Sequence, residues 1–163
     1  RMKYKNSQEF LKRLSNLFNG LLAIPLLLVC FGYLEVSTGS WTAIMESSNS
    51  LVISMVAGLG VISTWLSLRF KKESRKLVML DTIHDKMDAY FMLASFYYWS
   101  AFGLSVISAV MLFVVADVTF AIAYAYILFW MSLFRPTLRS LADLFELKDD
   151  DREAFLNKED FKK

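Results

Sequence analysis

The chain has 163 residues, of which 56% are hydrophobic, and its mean hydropathy is +0.41. This composition is more apolar than a soluble domain with a polar surface carries. The net charge of +2 is too small to indicate nucleic acid as a partner. Composition therefore predicts an all-α, multi-pass membrane protein.

Four apolar stretches lie along the chain, at 14–34, 48–69, 91–116 and 118–134. A membrane-spanning helix needs about 20 such residues. The stretches predict four transmembrane helices, arranged as two hairpins in one membrane domain that covers 1–163. The segments 1–13, 70–90 and 135–163 are expected to form cytoplasmic amphipathic or helical extensions. The first stretch is long for the core of a signal peptide, so we interpret it as a span.

The charged residues predict an orientation. All 18 Lys and Arg residues fall within 1–13, 69–86 and 135–163, whereas the loops between the paired spans hold Glu35, Glu46 and Asp117. By the positive-inside rule, both termini and the middle segment are expected in the cytoplasm. In the first hairpin, Pro25 is expected to bend the span and Trp41 to anchor the outer loop at the membrane interface.

Small residues recur at four-residue spacing in the second and third spans, where they allow helix backbones to approach closely. The candidate packing residues are Ser54, Ala57, Gly58, Gly60, Ala101, Ser105 and Ala109. We expect the second and third spans to make the tightest contacts, within one chain or between copies.

One group of side chains has the composition of a metal site. On a continuous helix, Asp81, His84, Asp85 and Asp88 share one face, and carboxylates with imidazole suit Zn²⁺, Mn²⁺ or Fe. A second helix, such as the acidic C-terminal segment, would have to complete the site. The alternative is a solvated acidic face, which we favour, and no cofactor is predicted.

The inner half of the third span is rich in aromatic residues. Such a cluster is typical either of an interfacial aromatic belt or of a hydrophobic-ligand site. Its members are Phe96, Tyr97, Tyr98, Trp99 and Phe102.

The two predicted hairpins end alike. Trp65-Leu66-Ser67-Leu68 recurs as Trp130-Met131-Ser132-Leu133, and basic residues follow both. A duplicated unit explains this match, and so does a shared need for an interfacial Trp and flanking cations.

The Gly20-Leu-Leu-Ala-Ile-Pro-Leu segment of the first span, together with Arg135-Pro136-Thr137 before a Leu-rich acidic tail, resembles a group of small uncharacterised four-span bacterial membrane proteins. The resemblance implies a four-span architecture and the bacterial inner membrane. It implies no activity and no site residues.

Several function classes require residues that are not where they are needed. A proton-coupled exporter needs an ionisable residue near mid-membrane, and the predicted spans have none there. A thiol–quinone oxidoreductase needs cysteine pairs, whereas Cys30 is the one cysteine of the sequence. Membrane b-type haem needs histidines within the spans, whereas His84 lies outside them. The favoured hypothesis is a non-enzymatic scaffold, homo-oligomer or accessory subunit, with membrane lipids and other membrane subunits as partners. A lipid-facing enzyme or carrier and an oligomeric channel stay open as alternatives.

Overall fold

The computed structural model describes residues 4–160 and is all-α, with 80% of the chain helical. No strand occurs within these residues. The six α-helices are α1 Ser7–Ser37, α2 Asn49–Arg75, α3 Ile83–Val115, α4 Thr119–Leu133, α5 Leu138–Leu144 and α6 Asp149–Leu156. A short 3₁₀ turn, Lys76–Met79, continues α2. The predicted fold class is thus confirmed at the level of secondary structure.

Three helices are long and apolar enough to cross a membrane: α1, α2 with its 3₁₀ turn, and α3. In contrast, α4 has 15 residues. Its length of about 22 Å falls short of a hydrocarbon core of about 30 Å. It reaches the required length only together with α5, from which it is bent by 69°. The four predicted spans therefore correspond to three long helices and one short or bent one.

The long helices extend beyond the apolar stretches because polar side chains cap them. Asn6 accepts a hydrogen bond from the backbone N–H of Glu9 at 2.9 Å, so α1 begins at Ser7 and not near residue 14. Thr82 accepts one from the N–H of Asp85 at 3.2 Å, so α3 begins at Ile83. The middle segment is therefore not one continuous helix, as the sequence suggested, but is broken at 80–82.

The helices do not pack as two equivalent hairpins. The most extensive contact joins α1 to α3; α4 packs on α3 and α2, and α2 also packs on α3. Within the described chain, no comparable contact joins α1 to α2. The expectation that the second and third spans make the tightest contact is therefore wrong for contacts within the chain.

A single buried stripe on α1 explains its pairing with α3. The stripe advances in steps of three and four residues, which keeps it on one helical face. Its members are Ser7, Phe10, Leu14, Phe18, Leu21, Pro25, Val29 and Gly32. Phe18 meets Tyr98 of α3 edge-on at 5.2 Å between ring centroids, and Gly32 lies against Leu112 and Phe113.

The loop between α1 and α2 packs on the C-terminal end of α3. The indole N–H of Trp41 donates to the carbonyl of Phe113 at 2.7 Å, and the N–H groups of Ile44 and Met45 donate to the carbonyl of Val114 at 2.9 and 3.1 Å. The last carbonyls of a helix have no partner within the helix, and here the loop supplies donors. Trp41, expected as an interface anchor, thus also closes α3.

The two described ends of the chain meet at the opposite end of the bundle. Asn6 donates to Asp160 at 3.2 Å, and the Ser7 hydroxyl donates to the carbonyl of Phe155 in α6 at 2.6 Å. The Lys86 ammonium donates to the carbonyl of Phe145, just after α5, at 3.0 Å. The short helices α5 and α6 therefore seal the end of the bundle where α1 and α3 begin.

The exterior of the long helices is strongly apolar. Leu27, Val61 and Met92 are 71%, 69% and 73% exposed, and many other large hydrophobic side chains along α1 to α4 are also exposed. By contrast, the buried polar side chains of residues 4–160, tyrosines apart, are all serines. Soluble monomers rarely expose contiguous apolar surface of this extent.

Candidate functional site

A groove with a volume of about 620 Å³ lies between α2 and α4. Its wall is almost entirely apolar. The lining residues are Val56, Ala57, Gly60, Val61, Thr64, Trp65, Leu68, Ile122, Ala123 and Tyr126. At Gly60, an added Cβ would lie 3.9 Å from the Tyr126 ring, which is an ordinary van der Waals distance.

The hydroxyl groups in this groove are satisfied within the wall. The hydroxyls of Thr64 and Tyr126 hydrogen-bond to each other, and the Thr64 hydroxyl also lies 2.8 Å from the Gly60 carbonyl as a donor. Among residues 4–160, no charged side chain lines this groove. The groove therefore suits an apolar chain, either an acyl chain or the side of another helix.

A basic cleft lies beyond the end of this groove, between α2 and the bend that joins α4 to α5. The cleft has a volume of about 190 Å³ and includes three cationic residues, Lys71, Arg75 and Arg135. Hydroxyls of Ser74, Thr137 and Ser140 and an apolar floor complete it, while no Asp or Glu lines it. Among residues 4–160, none of the three cations forms an ion pair. The cleft thus carries uncompensated positive charge.

The aromatic residues predicted as a ligand cluster lie on two sides of α3. Tyr97 and Tyr98 are buried, whereas Phe96 and Trp99 are exposed and Phe102 is half-buried. The Tyr97 hydroxyl hydrogen-bonds to that of Ser67 at 2.9 Å, and the Tyr98 hydroxyl donates to the carbonyl of Phe134 at 3.0 Å. The structure therefore uses the two tyrosines to join α3 to α2 and α4, and it does not bring all five rings together.

The candidate metal ligands Asp81, His84, Asp85 and Asp88, for which a solvated acidic face is the favoured interpretation, are only partly brought together. Asp81 lies in the break before α3, while His84, Asp85 and Asp88 lie in its first turns. A cavity of about 440 Å³ is lined by His84 together with Asp150, Asp151, Glu159 and Asp160. Nevertheless, no three His, Cys, Asp or Glu side chains of residues 4–160 are grouped so that they could hold a metal ion. Nearby, burial raises the pKa of the Tyr4 phenol, and the negative charge of Asp88 raises it further.

The small residues predicted to pack divide between the interior and the surface. Ala101, Ser105 and Ala109 of α3 are buried, and Gly60 faces Tyr126. On α2, however, Ser54 and Ala57 are exposed, and an added Cβ on Gly58 would meet nothing within 4 Å. The sequence interpretation missed Gly32 of α1, where an added Cβ would lie 3.0 Å from Leu112 and Phe113. Gly32 lies seven residues after Pro25 and three residues after Val29, so it shares their buried face of α1.

Comparison with known proteins gives no match: no family model, no curated protein and no solved structure is detectably similar to the chain. The function is therefore inferred from the contacts, cavities and charges described above.

Proposed function

We propose that the chain is a non-enzymatic, four-span membrane protein of the bacterial inner membrane that acts as a scaffold, either as a homo-oligomer or as an accessory subunit. The apolar exterior of α1 to α4 and the three to four helices of sufficient length support the membrane placement.

We further propose that both termini face the cytoplasm. All Lys and Arg residues lie in three segments, and the contact between Asn6 and Asp160 brings the described ends to the same end of the bundle. An even number of crossings and the positive-inside rule both favour this orientation.

The observation that carries the scaffold proposal is the outward face of α2 at Gly58. Glycine inside a helix is less favourable than alanine by about 0.8–1.0 kcal/mol. No neighbour within the chain needs the space at Gly58, since nothing lies within 4 Å of an added Cβ. Ser54, one turn earlier, is exposed as well. In membranes, such small-residue faces let a second helix approach closely, so this face is our proposed contact with a second copy or another subunit.

The test is the mass of the protein in lipid nanodiscs or mild detergent, for the parent and for Gly58→Leu. We expect an assembly for the parent and a smaller particle for Gly58→Leu, with an unchanged helical spectrum because the substitution meets no atom of its own chain. Gly20→Leu on α1 is the matched control, since Gly20 also has nothing within 4 Å. If the parent is monomeric and has no protein partner in native membranes, the scaffold proposal is refuted. An unchanged mass for Gly58→Leu would instead refute this face.

A further inference from the structure

The apolar groove and the basic cleft lie end to end along one face of α2. Ala57, Gly60, Thr64 and Leu68 line the groove, and Lys71 and Arg75 line the cleft. These positions advance in steps of three and four residues, so they share one helical face. On the other side, Tyr126 lines the groove and Leu133, two turns further along α4, lines the cleft.

The length of the groove matches half of a bilayer. From Ala57 to Leu68 the helix advances eleven residues, or about 16 Å at 1.5 Å per residue. Half of a hydrocarbon core of about 30 Å is about 15 Å. The groove can therefore hold one acyl chain of a single leaflet, with the cleft at the level of the headgroups.

The charge of the cleft selects among lipids. Lys71, Arg75 and Arg135 line it without any carboxylate, and none of them is engaged in an ion pair within residues 4–160. A phosphate with a further negative charge or hydroxyls in its headgroup complements this surface, whereas the choline of a zwitterionic lipid adds a cation to it. Basic pockets between transmembrane helices at the cytoplasmic side bind anionic headgroups for this reason.

We propose that the groove and the cleft together form a binding site for one anionic phospholipid of the inner leaflet. The headgroup phosphate is held by Lys71, Arg75 and Arg135, and one acyl chain lies between α2 and α4 against Ala57 and Gly60. This inference depends on the membrane placement proposed above, and it is independent of the association at Gly58.

The first experiment is native mass spectrometry of the purified full chain with dioleoyl phosphatidylglycerol or dioleoyl phosphatidylcholine added at equal concentration. Because the acyl chains are identical, any preference reports the headgroup. We expect one phosphatidylglycerol per chain to be retained at a collision energy that strips phosphatidylcholine. Equal retention of the two lipids would overturn the proposal.

Charge variants locate the headgroup. The triple variant Lys71→Gln, Arg75→Gln, Arg135→Gln should bind phosphatidylglycerol about a hundredfold more weakly, since each cation near an anionic headgroup contributes about fivefold. The control triple, Lys12→Gln, Lys72→Gln, Arg139→Gln, removes the same charge from exposed residues outside the cleft. Equal losses in the two triples would show a general attraction between charges and would refute a defined site.

A groove variant locates the acyl chain. Ala57→Phe fills the groove without changing charge and should weaken phosphatidylglycerol binding at least tenfold, whereas Ala125→Phe on the exposed side of α4 should not. Soluble glycerol phosphate, added as a competitor, should not displace the lipid at tenfold excess. Displacement of the lipid by glycerol phosphate would mean that the cleft binds a free phosphate. Loss of the lipid as protein concentration rises would mean that a second copy of the chain occupies the groove as a helix interface.

Co-flotation with phosphatidylglycerol vesicles separates this inference from the membrane placement. Failure of the parent to float after reconstitution refutes both. Flotation of the parent without headgroup preference in mass spectrometry refutes the lipid site alone.

Discussion

Gly32 offers a sharp test of the packing, because it lies against side chains of α3 with little room for a Cβ. A Cβ at this position would lie 3.0 Å from the Leu112 methyl group and from two ring carbons of Phe113, closer than ordinary van der Waals contact. Forcing an extra methyl group into a packed site costs about 1–3 kcal/mol. Gly32→Ala should therefore destabilise the bundle, and Gly32→Leu should destabilise it more.

Two matched substitutions isolate the steric cost. Gly20→Ala and Gly103→Ala make the same chemical change in helices, but an added Cβ at either position would meet nothing within 4 Å. The gain in helix propensity, about 0.8–1.0 kcal/mol, is common to all three and cancels in the comparison. We therefore expect Gly32→Ala to be less stable than either control by about 1–3 kcal/mol.

Thermal unfolding in one detergent, followed by circular dichroism, measures this difference. For a chain of this size, about 1 kcal/mol corresponds to about 2–4 °C in Tm. Gly32→Ala should therefore melt roughly 2–12 °C below the controls. A Tm equal to that of the controls would refute the close packing of Gly32 against Leu112 and Phe113.

Three further predictions address other parts of the chain. Trp41→Phe removes the hydrogen bond to the Phe113 carbonyl and should lower the free energy of unfolding by about 1 kcal/mol, whereas Trp99→Phe on the exposed side of α3 should be nearly neutral in the same melt. Asp117→Ala removes the acceptor for the Thr119 N–H at 2.9 Å, a hydrogen bond in the turn before α4, and should cost about 1 kcal/mol, while Asp117→Asn keeps an acceptor and should cost less; equal losses would contradict this acceptor role. A reporter fused after Lys163 should be active in the cytoplasm, and activity on the opposite side of the membrane would refute the proposed orientation.

The apolar stretches predicted where the long helices lie, because the apolar residues of one span are consecutive in the sequence. However, α1 and α3 begin earlier in the chain than the apolar stretches do. Asn6 and Thr82 start α1 and α3 in polar surroundings, and charge-free runs cannot detect a cap. The same capping at Thr82 removes Asp81 from the helix on which the acidic face was predicted.

The partners of each helix could not be predicted with the same success. In lipid, apolar side chains gain little by leaving the acyl chains for another helix, so hydrophobicity does not distinguish a helix-facing side from a lipid-facing side. Small residues indicate that a close approach is possible, but Gly32 and Gly58 look alike in sequence and differ completely in their surroundings.

The division of the aromatic cluster was predictable from helix geometry. Successive residues of a helix are separated by about 100°, so residues 96 to 99 cannot all share one face. Tyr97 and Tyr98 turn inward, while Phe96 and Trp99 turn outward. The basic cleft, in contrast, needs the bend between α4 and α5 to bring Arg135 beside α2, and no local pattern encodes that approach.

The joining of the chain ends has a consequence for biosynthesis. The partners of Asn6 and Ser7 are Asp160 and Phe155, which the ribosome adds more than 140 residues later, at separations of 154 and 148. During translation the first turn of α1 therefore emerges long before its binding partners exist. Synthesis of α6 and of Asp160 thus supplies these two partners, and a nascent chain that stops after α5 leaves the first turn of α1 without them.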